Sequence, residues 1–288
     1  MTHSIARARH LGRRLVRAAG ELRRPPEVSQ QNLRRFLAEM EGRPRVELPQ
    51  QPPGTIAILV PCYRHAAYLP ETLQSIASQT RLPDEVIFVD DGSPDESAAI
   101  VERFIETHPW LSNGRGRLLV NARNVGQAAS LNRAIDEARS DLVMILNDDD
   151  YLMHDAIESM LRLFARHPDV ALIGAHSIHF ESGEGLASAP KLSTAYAPAD
   201  LPLTVQQPQQ ARRYRRYNDL NMTHSGSCFV RVAAQAIGGY REKSARCVPF
   251  SDRDFQIRMN LMWPAAVAYE TPYSMWRADS SVDRGVES

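Results

Sequence analysis

No stretch of this chain approaches the roughly 20 consecutive apolar residues that a membrane-spanning helix needs. Its first residues also lack the continuous apolar core of a signal peptide. Both absences lead us to expect a cytoplasmic protein. Cysteine is scarce: Cys62, Cys228 and Cys247 contain no C-x-x-C pair and are odd in number, which argues against a disulfide framework and a thiolate metal site. Lysine is almost missing, Lys191 and Lys243 being the only two, so arginine carries the positive charge. The N-terminal region holds no base-reading motif, which removes nucleic acid as an expected partner. No glycine-rich basic loop follows the first strand-like run, which disfavours a triphosphate-binding nucleotidyltransferase.

What is present is an ordinary globular composition over 288 residues, 43% hydrophobic and 24% charged, enough for one substantial core. The net charge of zero hides a division. Residues 1–45 carry eleven arginines against four glutamates, +7, so the remainder sums to −7. Within this arm Ile5, Ala8, Leu11, Leu15, Ala18 and Leu22 recur at helical spacing, with Arg7, Arg13, Arg14 and Arg17 largely between them. A second helix is expected from Asn32 to Met40, then a proline-rich linker, "RPRVELPQQPPG". We therefore divide the chain into an arm and linker, 1–54, and a body, 55–288. The arm either packs on its own domain, forms a mobile tail, or docks on an anionic membrane surface or partner protein.

From Thr55 the periodicity alternates. "TIAILV", closed by Pro61, reads as a strand; "YLPETLQSIASQ" as a helix; "EVIFVD" as a strand; 95–107 as a helix; "RLLV" as a strand; 127–138 as a helix; "LVMIL" as a strand. Strands with continuous apolar character alternating with helices predict a mainly parallel sheet covered on both faces. In such sheets ligands sit at the carboxyl ends of the strands. Three of those ends are polar: "PCYR" at 61–64, "DDGS" at 90–93 and "NDDD" at 147–150. Singly, Tyr63 reads as a core or rim aromatic, "DDGS" as a turn, and the aspartates as a helix N-terminus. Together they offer a ring to stack on a base, a carboxylate for a ring N–H, and oxygen ligands for a hard divalent cation. Asp148, Asp149 and Asp150 repel one another, an arrangement that a cation or a set of donors would offset.

"ILVPCYRHAAYLPETLQSIASQT", "DEVIFVDDGSPDES", "NARNVGQAASLNRAI" and "DLVMILNDDDYL" resemble, in order and spacing, the family 2 glycosyltransferases with the GT-A fold. The resemblance returns at "GSCFVRVAAQAIGGYRE" and "SDRDFQIR" and covers none of the basic arm. It implies a GT-A-like α/β body, a mainly parallel sheet flanked by helices with a nucleotide-binding half and an acceptor half. It also implies a metal-dependent, inverting transfer from a nucleotide-sugar donor, with UDP expected and thymine as the alternative base to uracil. A carbohydrate or lipid-linked acceptor would take the sugar, with magnesium or manganese as cofactor. Carried over by position, Pro61, Tyr63, Asp90, Asn124, Gly126 and Asp148 would bind the donor and Asp149 the metal.

Asn147 stands where the family has the first aspartate of D-x-D. Near "YSMWRADSS" the family often has a metal-binding histidine, and here Asp279 would be the second metal contact. An acceptor hydroxyl must lose a proton as it attacks, so a carboxylate base is required. The family's Glu-Asp pair falls on Ser251 and Asp252, which makes Asp252 the expected catalytic base, although "SDRD" is also an ordinary helix N-cap. "HSGS" at 224–227 would let a ligand approach the backbone. The competing reading is a catalytically inactive nucleotide-sugar-binding or scaffolding protein of the same fold.

Overall fold

The computed structural model describes residues 28–42, 46–49, 54–180, 203–216, 220, 222–268, 271–277 and 280. The helix expected over residues 5–22, the Asp279 contact and much of the proline-rich linker lie outside these described residues. The first described helix, α1 (Gln30–Glu41), begins where Ser29 Oγ accepts the Asn32 N–H at 3.2 Å, and it buries Leu33, Phe36 and Met40. Their spacing puts all three on one face, turned inward.

The body alternates as its apolar periodicity predicts: β1 (Ile56–Cys62), α2 (Leu69–Ala77), β2 (Glu85–Asp90), α3 (Ser97–Thr107), β3 (Gly116–Val120), α4 (Gln127–Glu137) and β4 (Leu142–Ile145). Every residue of β1, β2 and β4 is buried, as expected of strands covered on both faces. Then come β5 (Tyr151–Leu152), α5 (Ala156–Arg166), β6 (Leu172–Ala175), β7 (Ser177–Phe180), β8 (Leu203–Gln206) and α6 (Pro208–Ala211). The chain continues through β9 (Cys228–Val230), α7 (Arg231–Ala236), α8 (Ser251–Met262), β10 (Ala265–Ala268) and β11 (Ser274–Arg277). Among the described residues the main sheet has the order β3-β2-β1-β4-β9-β6-β10-β8, and a small sheet has the order β5-β11-β7. The main sheet is parallel from β3 through β4 and again between β6 and β10; β9 and β8 run against their neighbours.

Pro61 does not close the first strand. It lies inside β1, opposite Val89, where pairing with β4 has already ended at Leu59–Ile145. A residue without an N–H is tolerated there because the strand has one neighbour left rather than two. The consequence is two further residues of strand, which carry Cys62 level with Asp90.

Helix α8 is not amphipathic: every residue from Asp254 to Leu261 is buried. Its polar side chains therefore need partners inside the protein. Asn260 receives the Tyr214 hydroxyl at 2.7 Å and donates to Gln206 O and Trp263 O, while Asp254 and Arg258 take each other at 2.8 Å.

Candidate active site

Because β2, β1 and β4 are adjacent and parallel, the three polar strand ends converge. β2 delivers Asp90 and Asp91, both buried. Asp90 Oδ2 accepts the Ser93 N–H at 3.0 Å, whereas Asp90 Oδ1 is buried with no hydrogen-bond partner among the described residues. Such a group is costly unless a ligand donor completes it. Asp91 has a different job. It accepts from Asn121 Nδ2 (2.8 Å), Val125 N (2.9 Å) and Gly126 N (2.8 Å), and so shapes the whole 121–126 loop. Gly126 thus turns its N–H to Asp91, and Asn124 is exposed on the same loop. Gly92, at φ +69°, lets this loop approach: a Cβ there would lie 2.7 Å from the Arg123 carbonyl carbon.

The three aspartates after β4 divide their work. Asp150 is fully buried; it accepts from Asn147 Nδ2 at 3.1 Å, from the Ser225 hydroxyl and from the Arg277 N–H at 3.1 Å. Burial, then the charge of Asp149, pushes its pKa up to about 7. Asp148 accepts the Tyr63 N–H at 2.8 Å and lies 2.7 Å from His65 Nδ1; burial raises it to about 6 against the lowering effect of His65. The half-buried Asp149 bonds to the Ser280 hydroxyl. Thr72 donates to the carbonyls of Asp148 (3.0 Å) and Asp150 (2.8 Å), which fixes the turn to α2. Asn147, in place of the expected carboxylate, accepts from Gln127 at 3.2 Å and turns its amide to Asp150.

His65, Asp148 and Asp149 each offer a ligand atom, all within 4.8 Å of one another. Two carboxylates with an imidazole suit a divalent cation such as manganese. Asp150 is too fully engaged to serve as a ligand. The Arg277 guanidinium donates to the Asp149 carbonyl and pairs with Glu71. The side chain that meets the aspartates from the β1 side is His65, whose Nδ1 lies 2.7 Å from Asp148 Oδ1. Sequence reasoning missed His65, one residue beyond the "PCYR" cluster.

The turn at 224–227 ties this cluster to the second half. Ser225 Oγ receives the Asn147 N–H at 3.0 Å and bonds Asp150; Gly226, at φ +79°, donates its N–H to Ile145 O at 2.9 Å. On the far side His224 Nε2 meets the Tyr240 hydroxyl at 3.0 Å. Burial lowers the His224 pKa and raises that of Tyr240, and both feel the charge of Asp252. Asp252 occupies the first turn of α8, partly exposed, with Arg253 Nε at 3.9 Å. The helix N-cap is Phe250 and no side chain caps it, so the capping explanation of "SDRD" does not hold. Asp254, two residues on, is buried and committed to Arg258 and the Cys247 N–H. The sequence marks "HSGS" for its glycine and "GGYRE" for the resemblance, but nothing local pairs His224 with Tyr240 or sets either beside Asp252.

Polar strand ends that bring Asp90, the three aspartates and His65 together, with the partly exposed Asp252 on the second half, are the features to set beside known proteins. The chain belongs to glycosyl transferase family 2, whose family model matches residues 57–237. It is 30% identical over 112 residues to an uncharacterized glycosyltransferase of Haemophilus influenzae, covering 39% of this chain and 43% of that protein. It is also 30% identical over 127 residues to the glycosyltransferase GlyG of Streptococcus pneumoniae, covering 44% and 40%. The chain spans less than half the length of these curated relatives. Among solved structures, S. aureus TarS 1-349 in complex with UDP-GlcNAc aligns at TM-score 0.58 and 20% identity, over 78% of this chain and 58% of that one. The mannosyltransferase PcManGT of Pyrobaculum calidifontis, in complex with GDP-Man and Mn2+, aligns at 0.52 and 20%, over 83% and 64%. The fold is GT-A-like.

Proposed function

We propose that this chain is a divalent-cation-dependent, inverting glycosyltransferase that moves a sugar from a UDP donor to a hydroxyl of a carbohydrate or lipid-linked acceptor. The observation that carries this reading is the aspartate triad at the end of β4, which has His65 2.7 Å from Asp148 and is separated by β1 alone from the strand that carries the unpartnered Asp90 Oδ1. Asp90 accepts a ring N–H of the base, Tyr63 and Pro61 border it, and Asn124 and Gly126 lie on the loop that faces the donor. The UDP and UDP-GlcNAc complexes of the TarS neighbours support uracil as the base.

Asp149, with Asp148 and His65, would hold the cation; when bound, it supplies a Lewis acid for the charge that develops on the leaving phosphate. Asp279 remains a proposed further contact. Asp252 takes the acceptor proton as the hydroxyl oxygen bonds to the anomeric carbon and the bond to the UDP oxygen breaks. One base and one displacement give inversion. An anionic membrane surface at the cytoplasmic face is the partner proposed for the arginine-rich arm, from its charge alone. No helix among the described residues is long and apolar enough to cross a membrane.

Calorimetric titration of UDP with Mn2+ and with chelator tests the assignment. Binding should be tighter with Mn2+, and Asp149→Ala should remove that difference while leaving uridine binding in place. Equal UDP binding under both conditions, or an unchanged metal effect in Asp149→Ala, would overturn it.

A further inference from the structure

Helix α1 lies before the segment that matches the family, and α8, which bears Asp252, lies after it. The two are joined through the loop at 237–250. Ser29 N–H donates to Cys247 O at 2.9 Å, Asn32 Nδ2 to Arg246 O at 2.7 Å, and Glu39 pairs with Arg241 at 2.9 Å. Phe36, fully buried, has the Arg241 guanidinium 4.2 Å from its ring centroid and that of Arg258 at 5.9 Å. Arg258 in turn holds Asp254 and the carbonyls of Ile237 (3.1 Å) and Gly239 (2.6 Å), and Asp254 holds the Cys247 N–H at 2.6 Å. Cys247 is therefore held from both sides, its carbonyl by α1 and its N–H by α8, four residues before the helix begins.

We propose that α1 is a positioning element for the acceptor half: through Asn32 and Phe36 it fixes the 241–249 loop and hence the first turn of α8, where Asp252 sits. The functional consequence rests on the reading of Asp252 as the base; the structural one does not. The donor half has no such dependence, since Asp90, Asp91 and the aspartate triad are held by bonds within residues 62–147, Ser225, Arg277 and Ser280. Displacement of a reacting group by about 1 Å can cost up to roughly 100-fold in rate, which is the scale expected if α1 loosens.

The test uses the full chain with Phe36→Ala, Asn32→Ala and the conservative Phe36→Leu. Amide hydrogen exchange is read at 246–256 and at 56–90, alongside affinity for UDP with Mn2+ and release of UDP from UDP-N-acetylglucosamine. Exchange should quicken at 246–256 and stay unchanged at 56–90; UDP affinity should hold while turnover falls, and Phe36→Leu should recover most of the loss. Asn32→Ala removes one hydrogen bond and keeps the test open should Phe36→Ala fail to fold. Unaltered exchange at 246–256 in both alanine variants, or UDP affinity lost in step with turnover, would overturn the proposal. Placing Phe36→Ala in an Asp252→Asn background separates the two readings. If α1 acts through Asp252, the second substitution adds little. Normal turnover in Asp252→Asn with continued loss from Phe36→Ala would sink the base and leave the positioning role standing.

Discussion

Asp254→Asn changes one atom of a side chain that is two residues from the proposed base and has no part in the proposed chemistry. Its carboxylate is 0% exposed and accepts from two donors on different elements, Cys247 N–H and Arg258 Nε. An asparagine amide can accept from only one of them; its NH2 would face the other donor head-on. Arg258, also 0% exposed, would keep its charge with no counter-ion, although desolvation already lowers its pKa and Asp254 opposes that shift. Breaking such a buried pair from one side costs about 3–5 kcal/mol. For a chain of this size that is a fall of roughly 6–20 °C in Tm. The double replacement Asp254→Leu with Arg258→Met removes both charges, yet it leaves Cys247 N–H and the carbonyls of Ile237 and Gly239 without partners, so recovery should be partial. Thermal and urea denaturation of the three proteins read this out. A Tm change below about 2 °C in Asp254→Asn, or full recovery in the double variant, would refute the reasoning.

Burial raises Asp148 to about 6 and Asp150 to about 7, above an unfolded value near 4. The folded state then binds more protons than the unfolded state across that window, so in chelator stability should fall as pH rises from about 4 to about 7, and Mn2+ should flatten the slope. Melting curves at pH 5 and pH 7.5 would contradict this if chelated protein gained stability at the higher pH. Gly92→Ala places a Cβ at φ +69° against the Arg123 backbone, so it should cost about 1–3 kcal/mol of stability and weaken UDP binding by displacing the 121–126 loop; equal UDP affinity would contradict the loop's role.

The strand ends could be read from the sequence because fully apolar strands alternate with helical periodicity, and the parallel order then brings "PCYR", "DDGS" and "NDDD" together without further information. Boundaries went astray where a local rule met a tertiary exception. Pro61 reads as a terminator, but the neighbour that would need its N–H has already left the sheet. The partition among Asp148, Asp149 and Asp150 was hidden, because it depends on Tyr63, His65, Ser225 and Arg277, which come from three distant elements. The same applies to "SDRD". Its two aspartates look alike in sequence, and only the fold shows Asp254 locked to Arg258 while Asp252 stays partly open beside His224 and Tyr240. The docking of α1 was out of reach for the same reason, since its partners lie more than 180 residues away.

The most direct test of the account is the turnover of Asp252→Asn measured against its affinity for UDP with Mn2+. Asparagine keeps the size of the side chain and removes the base. The side chain caps no helix and among the described residues pairs only loosely, with Arg253 at 3.9 Å, so stability and UDP affinity should stay at wild-type values. Sugar transfer should fall by about 10²- to 10⁴-fold. Transfer at close to the wild-type rate, with UDP still bound, would contradict the assignment of Asp252 and with it the proposed mechanism.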